Sequence, residues 1–436
     1  MTIPIYQKPV ELLQNLIRFD TTNPPGNEKA IITYLKEIIE DAGLKTTILA
    51  KDENRPNLIT RLPGRGDAPP LLLYGHVDVV TTVGQKWTHP PFEALIADDM
   101  IWGRGALDMK GGIAMMVSAV LRAHASGEKL PGDIILAILP DEEVGGDFGA
   151  RFLVENHANL FEGVRYALGE GGGLTVNMGG EKFYTVMVAE KQMCSMRATV
   201  RGPAGHGSMP RRGGATARLA KMLDTLENKR LPVHITSVTE KMLSTIANSL
   251  SFPTNLGIKM LLNPTFTDRI LDALGDKGLI INPLLHNTVS PNIIRGGEKI
   301  NVIPAEISVE LDGRLLPQYT PDDMLAELRE LLGDEVELEV TKYDKGAGEP
   351  DMTLYPLLAD ILKKADPSGT PIPMLLSGVT DGRFFSRIGI QTYGYLPMDI
   401  PPELIDTIHA ANERVPVAAM AFGTNAISEV LRRFGE

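Results

Sequence analysis

The sequence predicts an α/β chain of two domains, a helix-flanked sheet interrupted by a smaller α+β module. Two apolar runs, at residues 71–75 and 133–139, have the length and composition of strands buried on both faces, and a shorter one ends at Leu168. Amphipathic helical stretches separate them. From about residue 192 the pattern switches to a strand with alternating faces, and after residues 343–348 the first pattern resumes. With 436 residues the chain has room for two domains and a sizeable core.

Residues 8–18 space Val10, Leu12, Leu13, Leu16 and Ile17 on one side of a helix, which stops before the breaker Thr21-Thr22-Asn23-Pro24-Pro25-Gly26. A second helix is expected over about 27–42, and strands near 45–50 and 57–62 precede the 71–75 run. A long apolar helix follows at about 112–125. In the second domain the reading is a strand at 193–201, a loop at 202–208 and a helix at 214–227. Extra helices then form an insertion at about 231–286. Strands near 288–294 and 305–312, a helix near 322–332 and a strand near 335–341 complete it. Without the insertion the order is β-α-β-β-α-β, a ferredoxin-like module. The domain boundaries are therefore set at 1–191 with 344–436, and at 192–343. The last segment carries a helix at about 355–364, a strand at 391–396 and a helix at about 416–433.

Composition narrows the function classes. A net charge of −12 argues against phosphate backbones as partners, so no nucleic acid is expected. No apolar run approaches the ~20 residues that span a bilayer, and the first residues lack a signal peptide's basic start and apolar stretch. The one cysteine, Cys194, excludes an internal disulfide and fits a cytoplasmic protein.

The 71–75 run leads into His76-Val77-Asp78. An isolated His-x-Asp is usually an ordinary hydrogen bond at a strand end, but burying both groups is costly unless they pair or bind a metal. Asp108, in Gly103-Arg104-Gly105-Ala106-Leu107-Asp108, could be a plain helix N-cap or a carboxylate held at a rigid corner. Asp141-Glu142-Glu143 would read as a solvated loop if it did not directly follow a core strand. Glu170 again follows an apolar run, and a late loop delivers His409. Acids and histidines thus recur at the carboxyl ends of apolar strands, where ligands gather in open α/β sheets. His76, Asp108, Glu143, Glu170 and His409 emerge as candidate ligands for two divalent metals, zinc or else cobalt or manganese. Asp108 could bridge metals ~3.5–4 Å apart. Glu142, beside a ligand, has the place of a general base.

These residues carry a resemblance. Gly75-His76-Val77-Asp78, Gly103-Arg104-Gly105 with Asp108-Met109-Lys110-Gly111-Gly112, Asp141-Glu142-Glu143-Val144-Gly145, Glu170, Gly205-His206-Gly207-Ser208, Asn301-Val302-Ile303-Pro304 and His409 resemble the co-catalytic zinc exopeptidases and deacylases. That family includes acetylornithine deacetylase, succinyl-diaminopimelate desuccinylase, aminoacylase and the glutamate-releasing carboxypeptidase. The resemblance implies a zinc-exopeptidase-like catalytic domain with a mixed sheet, and a homodimer formed through the interrupting lid domain. It implies that His76 and Glu170 hold one metal, Glu143 and His409 the other, with Asp108 between them. Asp78 would orient His76, and Glu142 would be the base. His206 would help stabilise an oxyanion, Asn292 would contact substrate, and Asp108–Met109 would be a cis peptide. Arg314 and Arg383 are candidates for gripping a substrate carboxylate, because guanidinium binds it bidentately. Glu at position 170 leans toward acylated or C-terminal amino acids as substrates. The expected activity is hydrolysis of an amide bond in an N-acyl amino acid or small peptide, with a dipeptidase or aminopeptidase as the alternative. A non-catalytic binding module on the same fold would be expected to lack a ligand or the base, and every position is filled. A dinucleotide-dependent oxidoreductase would need a third glycine that the Gly103-x-Gly105 stretch lacks.

Overall fold

A computed structural model describes residues 3–436; Met1 and Thr2, which enter the leader expectation, lie outside the described residues. The chain divides into two compact units. One comprises the residues up to Val188 with Pro350–Met374 and Thr380–Glu436; the other comprises Ala189–Glu349 and Leu375–Val379.

The first unit opens with α1 (Pro9–Ile17) and α2 (Lys29–Asp41), then β1 (Thr46–Leu49), β2 (Asn57–Leu62) and β3 (Leu71–His76). The short strands β4 (Ile96–Ala97) and β5 (Met100–Trp102) lead to α3 (Lys110–Ser126). Then come β6 (Ile134–Leu139), α4 (Ala150–Asn156), β7 (Tyr166–Gly169), β8 (Thr175–Met178) and β9 (Glu181–Glu190). All residues of β3 and β6 are buried, as their unbroken apolar runs require. Helix α3 is apolar almost all round and buried along most of its length. It packs on β3 and β6, while α4 covers the other face through Leu72, Tyr74, Ala137, Leu139 and Leu153.

The second unit contains β10 (Gln192–Arg201), β11 (Gly205–His206), α5 (Ala215–Asn228) and the insertion helices α6 (Ser237–Ser249), α7 (Thr254–Met260), α8 (Pro264–Leu274) and α9 (Asp276–Leu285). It continues with β12 (Thr288–Gly296), β13 (Val302–Ile303), β14 (Glu306–Leu315), α10 (Pro321–Leu332) and β15 (Val336–Asp344). Its sheet runs β12-β14-β10-β15, all antiparallel, which is the ferredoxin-like strand order. One face of β10 and β14 (Cys194, Met196, Ala198, Val200, Ile307, Val309 and Leu311) packs on α5 and α10.

The chain returns to the first unit with α11 (Tyr355–Ala365), β16 (Thr370–Leu376), α12 (Gly382–Ser386), β17 (Gln391–Gly394), β18 (Arg414–Pro416) and α13 (Val417–Arg433). The large sheet has the order β1-β2-β6-β3-β7-β17-β9-β16, with β8 paired to β9. Its centre, β6-β3-β7-β17, is parallel, while β1–β2, β2–β6 and β17–β9 pair antiparallel, so the sheet is mixed. Among the described residues no helix is long and apolar enough to cross a membrane.

Among the elements absent from the sequence reading, the β8–β9 hairpin and β16 have local explanations. The β8–β9 hairpin turns on Gly179-Gly180, both at positive φ, which is the dipeptide a tight hairpin favours. Strand β16 contains Pro371 and Pro373, which argue against a central strand; it lies at the edge of the sheet, where proline is tolerated.

Candidate metal centre

Three adjacent parallel strands end together. β3 closes on His76, β6 runs into Asp141-Glu142-Glu143, and β7 runs into Glu170. Asp108 stands just before α3 and His409 in the loop before β18. The N-cap of α3 is Met109, with no side-chain cap, so Asp108 is not engaged as a cap; the Asp108–Met109 peptide is cis.

The five candidate ligands converge. His76 Nε2 lies 3.1 Å from Asp108 Oδ1 and 3.3 Å from Glu170 Oε2. His409 Nε2 lies 3.0 Å from Asp108 Oδ2 and 3.2 Å from Glu143 Oε2. Asp108 therefore turns one oxygen toward each histidine. Two groups result, His76–Asp108–Glu170 and Asp108–Glu143–His409, with one ligand atom per residue mutually within 4.8 Å in each. Each offers one imidazole nitrogen and two carboxylates, a donor set that suits zinc, manganese or cobalt. Glu143 Oε1 is buried without a hydrogen-bond partner. Such an orphaned oxygen costs ~1–3 kcal/mol or more, and a cation would satisfy it. The residues present thus fit two divalent cations sharing Asp108.

The electrostatics point the same way. Burial disfavours charge on His76, yet Glu170, Asp108 and Asp78 outweigh it and hold the imidazole well above its ordinary pKa. Hydrogen bonds to the carboxylates of Asp108 and Glu143 push the half-exposed His409 up to about 10. Burial lifts Glu142 well above the usual carboxylate range, and the neighbouring Glu170 adds to it. The cluster is a crowd of carboxylates that rewards positive charge.

Asp78 acts in two ways. The closer partner of His76 Nδ1 is the Asp78 main-chain carbonyl, at 2.9 Å, rather than its carboxylate, at 3.4 Å. Donation from Nδ1 leaves Nε2 as the nitrogen with a free lone pair, facing Asp108 and Glu170. The Asp78 carboxylate instead accepts from Asn23 Nδ2 at 2.8 Å and from the main-chain N–H groups of Glu142 and Glu143 at 3.2 and 3.3 Å. It ties the strand end bearing His76 to the turn bearing the acids.

Sequence reasoning missed this support. Asn23 lies in the motif read as a breaker, and also donates to Asp141 Oδ1 at 3.1 Å. Arg55 pairs with Asp141 at 2.9 Å and grips Glu28 bidentately at 2.8 and 3.1 Å. Asp141 itself is left-handed, with φ 74°, and opens the turn Glu142–Val144. Asp381 was also passed over. Both of its carboxylate oxygens are buried without a hydrogen-bond partner, and burial, opposed by Arg383, pushes it up to about 8.

The remaining predicted residues are placed as follows. Arg383 is 4% exposed, and its guanidinium donates to the carbonyls of Thr380 and Gly145. In the second unit, the exposed His206 pairs through β11 with β13, and its Nδ1 accepts from the Ser208 N–H. Asn292 sits at the bulge of β12, where the register shifts, and its Oδ1 accepts from Ser290 Oγ. Bulges re-aim side chains. Arg314, on β14, forms a bidentate pair with Asp312.

Residues 72–433 match the family model described as Peptidase family M20/M25/M40. The chain belongs to this family. It is 27% identical over 362 residues to a probable carboxypeptidase S-like 2 of Dictyostelium discoideum, covering 80% of this chain and 68% of that one. It is 26% identical over 434 residues to human aminoacylase-1, covering 97% and 94%. Among solved structures, an M20 family metallo-carboxypeptidase of Sulfolobus solfataricus superposes with a TM-score of 0.69 at 19% identity, over 98% of this chain and 99% of that one. Membership of the M20/M25/M40 peptidases makes the chain a hydrolase of amide or peptide bonds.

Proposed function

We propose that this M20 peptidase hydrolyses the amide bond of N-acyl amino acids, with zinc held by His76, Asp108 and Glu170 on one side and by Asp108, Glu143 and His409 on the other. The observation that carries the reading is Asp108 with one oxygen toward each histidine. Bound there, two zinc ions would polarise the substrate carbonyl and lower the pKa of a water toward ~7. Glu142 then takes the proton of the attacking water and passes it to the leaving amine nitrogen. Burial raises its pKa, which makes the carboxylate a stronger base. His206 accepts at Nδ1 from a main-chain N–H, which puts the neutral ring's proton on Nε2 as a donor for the oxyanion. Asn292 and Arg314 remain our candidates for substrate contact; Arg383, engaged by two carbonyls, fits a positioning role better. Glu170 and the aminoacylase-1 likeness both support acylated amino acids as substrates.

Homodimerisation through the second unit is part of the proposal, supported by the edge strand β12, which exposes Ile293 and Ile294. A reducing, cytoplasmic setting agrees with the single cysteine, Cys194, buried in β10 with its thiol pushed up to about 11 by burial.

The test is hydrolysis of N-acetyl amino acids against unblocked dipeptides by zinc-loaded protein, with and without a chelator. Chelator-sensitive cleavage of the acylated set is expected. Cleavage of the unblocked set alone would replace the deacylase by a dipeptidase.

A further inference from the structure

Four residues after His409 stands Glu413, which is completely buried. Its Oε2 accepts from Arg104 Nη1 at 2.6 Å and from the Gly105 N–H at 2.9 Å. Its Oε1 accepts from the N–H groups of Leu107 at 2.8 Å and of Asp108 at 3.1 Å. The carboxylate thus holds the main chain of the residue that offers an oxygen to each histidine. Gly105 makes this approach possible: its φ is +83°, and an added Cβ would meet Val79 Cγ1 at 2.8 Å.

Arg104, 1% exposed, reaches the other way. Its Nη2 donates to the Ala410 carbonyl at 3.0 Å and to Gln85 Oε1 at 2.9 Å. Gln85 Nε2 in turn donates to the His409 carbonyl at 2.9 Å, and His409 is itself left-handed, with φ 61°. A left-handed histidine keeps that backbone only where its surroundings enforce it. A buried ion pair is weak evidence of stability, since an apolar pair of like volume often serves as well. These hydrogen bonds instead run to the main chain on either side of one candidate metal position. His76 and Glu170 make none of these hydrogen bonds; they stand at the ends of core strands.

We infer that Arg104, Glu413 and Gln85 are positioning residues that fix Asp108 and His409 relative to each other, and so govern retention of the metal between Asp108, Glu143 and His409. The inference rests on the two-metal reading proposed above. It predicts an unequal defect, the metal on the His409 side weakened much more than the one on the His76 side.

Metal-stripped protein would be titrated with cobalt(II) against a competing chelating indicator, for the unaltered chain and for Gln85→Leu, Glu413→Gln and Arg104→Lys. The unaltered chain should bind two equivalents. In the variants one equivalent should lose ~10–100-fold, the usual cost of removing an outer support of a metal ligand, while the other changes much less. Excess metal should restore turnover in Gln85→Leu. Glu413→Gln leaves the buried Arg104 uncompensated and could impair folding; Gln85→Leu buries no unpaired charge and keeps the test decisive. Two equivalents of unaltered affinity in Gln85→Leu would overturn the inference, and so would equal weakening of both. A single equivalent in the unaltered chain would overturn the two-metal reading itself, and this inference with it.

Discussion

In the nine-stranded sheet, β3 and β6 are buried from end to end, and the polar groups that follow them enter a buried network. In the four-stranded sheet, β10 alternates buried and part-exposed residues, and its polar side chains pair across the open face. Arg197 there lies 3.0 Å from Glu310 and 3.7 Å from Glu339, opposite both in register. The first unit gathers Arg55, Glu28, Asp141, His76, Asp78, Arg104 and Glu413 in its interior; the second buries far fewer charges, Lys191 among them. A charged residue therefore means different things in the two sheets. On an alternating strand it is one face of a solvated surface. At the end of a doubly buried strand it is held for a purpose that outweighs desolvation.

The sharpest way to break that contrast is at Glu142, the proposed base. Glu142→Ala should lower kcat by ~10²–10⁴-fold while metal content stays at the wild-type value. Turnover near the wild-type level would remove Glu142 as the base. Next, Arg55→Met strands Glu28 and Asp141 in the interior, and urea unfolding should register a loss of ~3 kcal/mol or more.

Lys191 offers a test in the second unit through pH. Burial, with Arg314 nearby, lowers its pKa to about 7, while its amine donates to the His286 carbonyl and Thr288 Oγ1. Between pH 7 and ~10 the unfolded chain binds a proton that the folded chain has released, so stability rises with pH, by at most ~1.4 kcal/mol per unit. Unfolding midpoints of the parent protein and Lys191→Met at pH 7 and pH 9 should diverge in that sense. Parallel midpoints would mean the lysine stays charged in the fold.

The smallest effect is expected at Arg197→Ala, within ~1 kcal/mol in the same unfolding assay, because the pair is partly exposed to solvent. A loss as large as that of Arg55→Met would erase the distinction between the two sheets.

What could be read in advance follows the same contrast. The strands β3 and β6, the helix α3 and the ferredoxin-like order all declare themselves through local apolar patterning. The five candidate ligands were legible because each follows such a run or sits in a distinctive glycine-rich or acidic motif. Asn23, Arg55 and Glu413 were not, because nothing nearby in sequence marks them as buried. Asn23 meets Asp78 across 55 positions and Arg104 meets Glu413 across 309. Only the closed fold brings such partners together. Pro371 and Pro373 hid β16 for another reason: proline counts against a strand until its place at a sheet edge is known.

Asp108, with one oxygen toward each histidine, has a thermodynamic corollary on the two-metal reading. Two positions that share a side chain are not independent. An ion at the His76 side would fix the carboxylate's rotamer and draw off part of its charge. The first effect helps the second ion and the second hinders it, and their balance is a coupling free energy between the positions. Linkage requires that coupling to be reciprocal, so whatever factor the first ion imposes on the second, the second imposes equally on the first. A substitution that acts only on the His409 side therefore also alters how firmly the His76 side responds to its neighbour being filled. Occupancy of the pair is a property of Asp108 as much as of either histidine.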